Sequence, residues 1–132
     1  MEYSDSLKKN NEFQRVYRKG TSQANRYLVM YVLENHDRHM ENRLGISVSK
    51  KVGNSVVRHR VTRLIRESYR LNEKSFRQGL DIVVVARPNA KDKSYQEIES
   101  ALMHLAGRMK IRREAELHSE ESENGLGQAG EQ

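Results

Sequence analysis

Between residues 55 and 70 the apolar residues Val57, Val61, Leu64 and Ile65 recur at i, i+4, i+7 and i+8, one face of a helix of about 3.6 residues per turn. The spacing predicts a helix running to about Asn72. Asn54 opens it as N-cap, and the turn Lys50-Lys51-Val52-Gly53-Asn54 precedes it, with Gly53 allowing a sharp bend. Wound at about 100° per residue, His59, Arg63, Arg66 and Arg70 fall on the side away from the apolar stripe. Arg58 and Arg60 fall on its flanks. Glu67 is the one acid among seven Lys and Arg in residues 50–70, so the Glu–Lys lacing of an ordinary solvated helix face is missing.

The same patterning places the other elements. Asn11-Glu12-Phe13-Gln14 reads as an Asn cap with Gln at N3, opening a helix to about Lys19 that Gly20 closes. Phe13, Val16 and Tyr17 share one side of that helix, and Lys8, Arg15 and Arg18 another. Residues 1–10 read as loose and 21–25 as a short polar connection. Residues 27–33 are apolar on both faces, which predicts a buried strand. Residues 35–42 read as a charged, hairpin-like loop. Leu44, Ile46 and Val48 then alternate with Gly45, Ser47 and Ser49 at strand period, giving one core face and one small, hydroxylated face. Residues 81–86 are a β-branched strand, stopped by Arg87-Pro88-Asn89. Ser94 and Glu97 form a capping box before a last helix with Ile98, Leu102, Leu105 and Met109 on one face. Beyond 114 there is no periodicity, and the chain reads as disordered. The expected organisation is one α+β domain, 1–113, with helices packed on a sheet, followed by an acidic tail, 114–132.

Charge sharpens this picture. The 132 residues carry 24 Lys and Arg against 18 Asp and Glu. The tail holds six of the acids and none of the bases, so residues 1–113 carry a net +12. A domain that basic points to nucleic acid before membrane, because no apolar amphipathic anchor accompanies the charge. Arg predominates on the central helix, and its planar fork pairs with phosphate oxygens two at a time. There is no cysteine, hence no disulfide or thiolate metal site, which fits a reducing compartment. No secretory signal or membrane-spanning run is visible, and the expected location is the cytoplasm.

Protein-based catalysis finds little to work with. No His pair has metal-ligand spacing with carboxylates, no paired carboxylates sit in an apolar setting, and no GxxxxGK[ST], post-strand GxGxxG or HExxH is present. His36 and His39 read as solvated loop residues. Phe13 and Tyr17 have two readings, core packing or a stacking platform for unpaired bases. The small face of Gly45, Ser47 and Ser49 either admits a phosphate backbone or sits beneath a helix.

The run SVSKKVGNSVVRHRVTRLIRESYR resembles the signature of the bacterial ribonuclease P protein subunit. LKKNNEFQRVYRKGTSQANRYLVMYVL, DIVVVARP and the final helix are similar to that family as well, so the resemblance covers roughly residues 7–110. It implies an α/β sandwich like domain 2 of ribosomal protein S5, a central mixed sheet with a left-handed βαβ crossover. It implies an activity, removal of the 5′ leader from precursor tRNA. Catalysis would belong to a large RNA with Mg²⁺, the protein acting as cofactor with no covalently bound group. It also implies an interface with the catalytic RNA at Lys50, Lys51, Asn54, Arg58, His59, Arg60, Arg63, Arg66 and Arg70. A cleft for the leader would be formed by Phe13, Tyr17, Tyr31, Ser47 and Ser49. No catalytic or metal-ligating residue is assigned to the protein. His59 stands where the family has Asn, and Thr62 where it has Lys. The rival readings are a ribosomal or other structural RNA-binding protein, a DNA-binding module, and a nuclease in its own right. The expected state of the free protein is a monomer, with a weak dimer left open.

Overall fold

The computed structural model describes residues 4–35 and 41–113. Among the described residues five strands form one mixed sheet: β1 (Ser4–Ser6), β2 (Thr21–Ala24), β3 (Leu28–Glu34), β4 (Asn42–Ser47) and β5 (Leu80–Ala86). Their spatial order is β1-β4-β5-β3-β2. β1 and β5 run parallel to β4, while β3 is antiparallel to both β5 and β2. Three helices cover the sheet: α1 (Asn10–Lys19), α2 (Ser55–Leu71) and α3 (Tyr95–Arg108). The α+β expectation holds.

Strand alternation divides the molecule into two cores. Leu28, Met30 and Val32 of β3, Leu44 of β4, and Leu80, Ile82 and Val84 of β5 face α2 and α3. There they meet Val61, Ile65 and Tyr69 of α2 and Ile98, Leu102 and Leu105 of α3. The opposite face is smaller: Leu7, Val16 and Val83, flanked by Phe13, Tyr17, Tyr31, Leu33 and Val85. Both faces of β3 and β5 are therefore covered, which is why those strands read as near-continuous apolar runs.

Most of the capping chemistry falls where the pattern places it. The Asn54 side chain accepts the Val57 N–H at 3.0 Å, and Ser94 with Glu97 closes its reciprocal box at 3.2 and 2.9 Å. Pro88 opens a single 3₁₀ turn, Pro88–Ala90, after β5.

Three readings need correction. Residues 4–6 are an edge strand, and Leu7 is buried, so the N-terminal segment is not loose. Residues 21–24 are the other edge strand rather than a connection. α1 begins at Asn10 with Lys9 as N-cap, not at Asn11. The Glu12 carboxylate reaches back to accept the Lys8 and Lys9 N–H groups at 2.9 and 3.1 Å. Those bonds and the neighbouring Arg43 guanidinium hold the Glu12 carboxyl below its ordinary pKa. Gly20 does end α1, for a reason of space: a Cβ there would lie 2.6 Å from the Val32 carbonyl oxygen. The expected loop of 35–42 is described only at its ends, since 36–40, with His36 and His39, lie outside the described residues. So does the tail from 114, including His118.

Candidate nucleic-acid interface

α2 buries Val61, Ile65, Ser68 and Tyr69, with Val57 and Leu64 half-buried beside them. Sinking that stripe into the sheet turns the cationic residues outward. His59, Arg60, Arg63, Arg66 and Arg70 are exposed, and Arg58 is half-buried on the flank. They are not equally available. Arg60 donates to the Lys93 carbonyl at 2.9 Å, and this sets its guanidinium toward the turn after β5. Arg70 forks onto Glu67 at 3.1 and 2.5 Å. Each member of that pair strengthens the charged form of the other, so Arg70 is the most self-neutralised arginine of the row. Thr62 turns its hydroxyl back to the Arg58 carbonyl at 2.8 Å.

The turn before α2 prolongs the basic surface. Lys50 and Lys51 are exposed, and Ser49 is an exposed turn residue whose Oγ accepts the Lys51 N–H at 3.3 Å. Asn54 is committed to capping, so its side chain orders the helix start. Gly53 lies against the Val57 side chain, 2.7 Å from where a Cβ would stand.

The second region lies on the other face. α1 crosses the sheet over two cross-strand rows: Arg43, Asp81 and Leu33, then Gly45, Val83, Tyr31 and Ser22. The next row, Ser47, Val85, Val29 and Ala24, is left partly open along the helix edge. Phe13, Tyr17 and Tyr31 stand together there, half-buried. Tyr17 and Tyr31 meet edge-on at 4.9 Å, and the Phe13 and Tyr17 rings are 6.4 Å apart. The three aromatics named from sequence are thus one cluster, and Ser47 ends the open row beside them. Gly45 lies under the helix, in contact with the Phe13 ring, while Ser47 is half-buried.

The two regions connect. β4 carries Ser47 at the open row and runs directly through 48–54 into the start of α2.

One feature escapes the sequence reading. Asp81 is fully buried, and Arg43 forks onto it at 3.0 and 2.8 Å. Asn35 Nδ2 donates to the same carboxylate at 2.7 Å, and Arg43 Nη1 reaches Glu12 Oε2 at 3.1 Å. One arginine therefore bridges the buried Asp81 and the half-buried Glu12. Burying an acid demands such partners. The available signal was an Asp opening an otherwise apolar strand.

The fold and these surfaces define a nucleic-acid-binding α/β sandwich with an arginine helix on one side and an aromatic groove on the other. The family model for Ribonuclease P matches residues 1–110. The chain is 64% identical over 108 residues to the ribonuclease P protein component of Lachnoclostridium phytofermentans, covering 82% of this chain and 91% of that one. The Staphylococcus aureus RNase P protein superposes with a TM-score of 0.77 at 41% identity, covering 83% and 99% of the two chains. The Thermotoga maritima protein gives 0.71 at 28% identity, covering 79% and 96%. The chain belongs to the ribonuclease P protein component family. It is a protein component of a ribonuclease of tRNA 5′ processing, and it has an RNA partner.

Proposed function

We propose that this chain is the protein cofactor of a ribonucleoprotein endonuclease, whose catalytic RNA it binds through the outer face of α2. The groove between α1 and the sheet takes the single-stranded 5′ leader of precursor tRNA. The observation that carries the reading is the presence of two unlike surfaces on opposite faces of one sheet. An exposed arginine row suits structured phosphate backbones, and a half-covered aromatic cluster suits unstacked bases. Among the described residues no group of three or more His, Cys, Asp or Glu is placed to hold a metal ion. In this reading Mg²⁺ is held by the RNA, which performs the cleavage, and no step is routed through a protein-bound metal. The cationic face reduces repulsion between catalytic RNA and substrate. The groove adds contacts that mature tRNA lacks, so substrate is favoured over product. No described helix is long and apolar enough to cross a membrane, and the cytoplasm, where precursor tRNA is made, is the proposed location.

The test is precursor tRNA with and without the RNA subunit, at low Mg²⁺. The protein alone is expected to leave the substrate intact, and the pair to remove the leader. Affinity should fall with salt, with a log–log slope of about −0.7 for each leader phosphate neutralised. Equal affinity of the holoenzyme for precursor and mature tRNA defeats the groove assignment.

A further inference from the structure

We infer that Glu12 is a positioning residue: by tying the first turn of α1 to the buried Arg43–Asp81 pair, it sets the stance of α1 above the sheet and so the width of the aromatic groove. This rests on the groove being the leader site.

The chain of contacts runs from the middle of the sheet outward. Asp81 lies on β5, fully buried, and its two oxygens take the Arg43 fork and the Asn35 amide. Arg43 is thereby fixed in direction. Its remaining Nη1 faces α1 and meets Glu12 Oε2 at 3.1 Å. Glu12 Oε1 meanwhile holds the Lys8 and Lys9 N–H groups, so one side chain caps the helix and moors it. Arg15, one turn further along α1, stands 3.9 Å from Asp81 and gives a second, looser line.

The mooring adjoins the groove on both elements. Glu12 precedes Phe13 in α1. Arg43 precedes Gly45 by two positions on the same face of β4, and Phe13 lies against Gly45 so closely that a Cβ would come within 2.7 Å of its ring. A shift of α1 at Glu12 is therefore a shift of Phe13 over Gly45, and Tyr17 follows one turn later. Losing Glu12 leaves Asp81 its Arg43 and Asn35 partners, so the sheet keeps its buried pair.

A purely electrostatic role predicts the opposite sign. Deleting an acid beside a basic groove raises its attraction for RNA. Deleting a mooring lowers leader binding even as net charge rises.

The experiment compares Glu12→Gln with wild type in the assembled holoenzyme, measuring affinity for precursor and for mature tRNA. The expected result is a precursor affinity reduced roughly fivefold, less than the loss of one full base stack, with mature tRNA binding unchanged. In the free protein, NOEs between the Phe13 ring and Gly45 should weaken, while those between Tyr69 and Phe76 in the other core persist. Should Glu12→Gln fail to fold, Arg43→Lys keeps a charge beside Asp81 but cannot span both Asp81 and Glu12, and the same loss is expected. A precursor preference that survives both substitutions, or grows, overturns this inference alone. A wild-type holoenzyme without precursor preference overturns the leader reading and this inference with it.

Discussion

The two faces of the sheet are built on different principles. The α2/α3 face closes a large apolar core and shows solvent only the far side of its helices. Its arginines project from a helix held mainly by its apolar stripe, with Arg60 adding one hydrogen bond to the Lys93 carbonyl. The α1 face closes a smaller core of three buried residues, with a polar mooring beside it. Its aromatic residues are at once packing and surface. A site of the first kind is set by charge and tolerates changes in detail. A site of the second kind is set by fit, so whatever moves the helix moves the site.

Three measurements probe that contrast. The largest effect is expected from reversing charge on the first face. Arg60→Glu with Arg63→Glu should weaken assembly with the RNA subunit on the order of 100-fold near 0.15 M salt and flatten the salt dependence. The urea midpoint of the free protein should hardly change, because Arg63 is exposed and Arg60 loses one surface hydrogen bond. Normal assembly of that variant would remove the arginine row from the interface.

A smaller change should matter more on the second face. Gly45→Ala drives a methyl group into the Phe13 ring. The expected cost is about 1–3 kcal/mol of stability, the usual penalty for overpacking. Precursor preference should fall and RNA-subunit affinity should stay. Loss of RNA-subunit affinity instead would show that the faces are not independent.

The smallest effect is a pH dependence. The folded-state pKa of Glu12 is depressed by the Lys8 and Lys9 N–H groups and by Arg43. Its contribution is therefore complete above the ordinary glutamate value of 4.5 and is lost as pH falls through the lower folded-state value. Urea midpoints followed from pH 6 downward should drop less steeply for Glu12→Gln than for wild type. Parallel curves would mean the carboxylate charge contributes nothing to the attachment of α1.

The same contrast explains what could be read from sequence. α2, α3, β3 and β5 are legible because their apolar periods are long and face the large core. The arginine row is legible as their complement. Asn54 and Ser94 mark their helix starts because the cap is local, three residues from the N–H it serves. β1 and β2 were not legible. Ser-Asp-Ser and Thr-Ser-Gln-Ala carry no alternation, and what makes them strands is backbone pairing with β4, 38 residues away in register, and with β3. Sequence puts the start of α1 one residue late because Glu12, from inside the helix, serves the Lys8 and Lys9 N–H groups that precede it. The Glu12–Arg43–Asp81 chain joins three elements, and no spacing along the sequence encodes it.

Among the described residues the last strand in sequence, β5, occupies the middle of the sheet. Its neighbours β3 and β4 are separated by it and touch only through it. A nascent chain emerging as far as α2 thus holds an exposed apolar helix stripe and two strands with a gap between them. Neither the arginine surface nor the aromatic groove gains its support until residues 80–86 slot in. Ordering should be late and concerted, as expected when pairing partners lie far apart along the polymer.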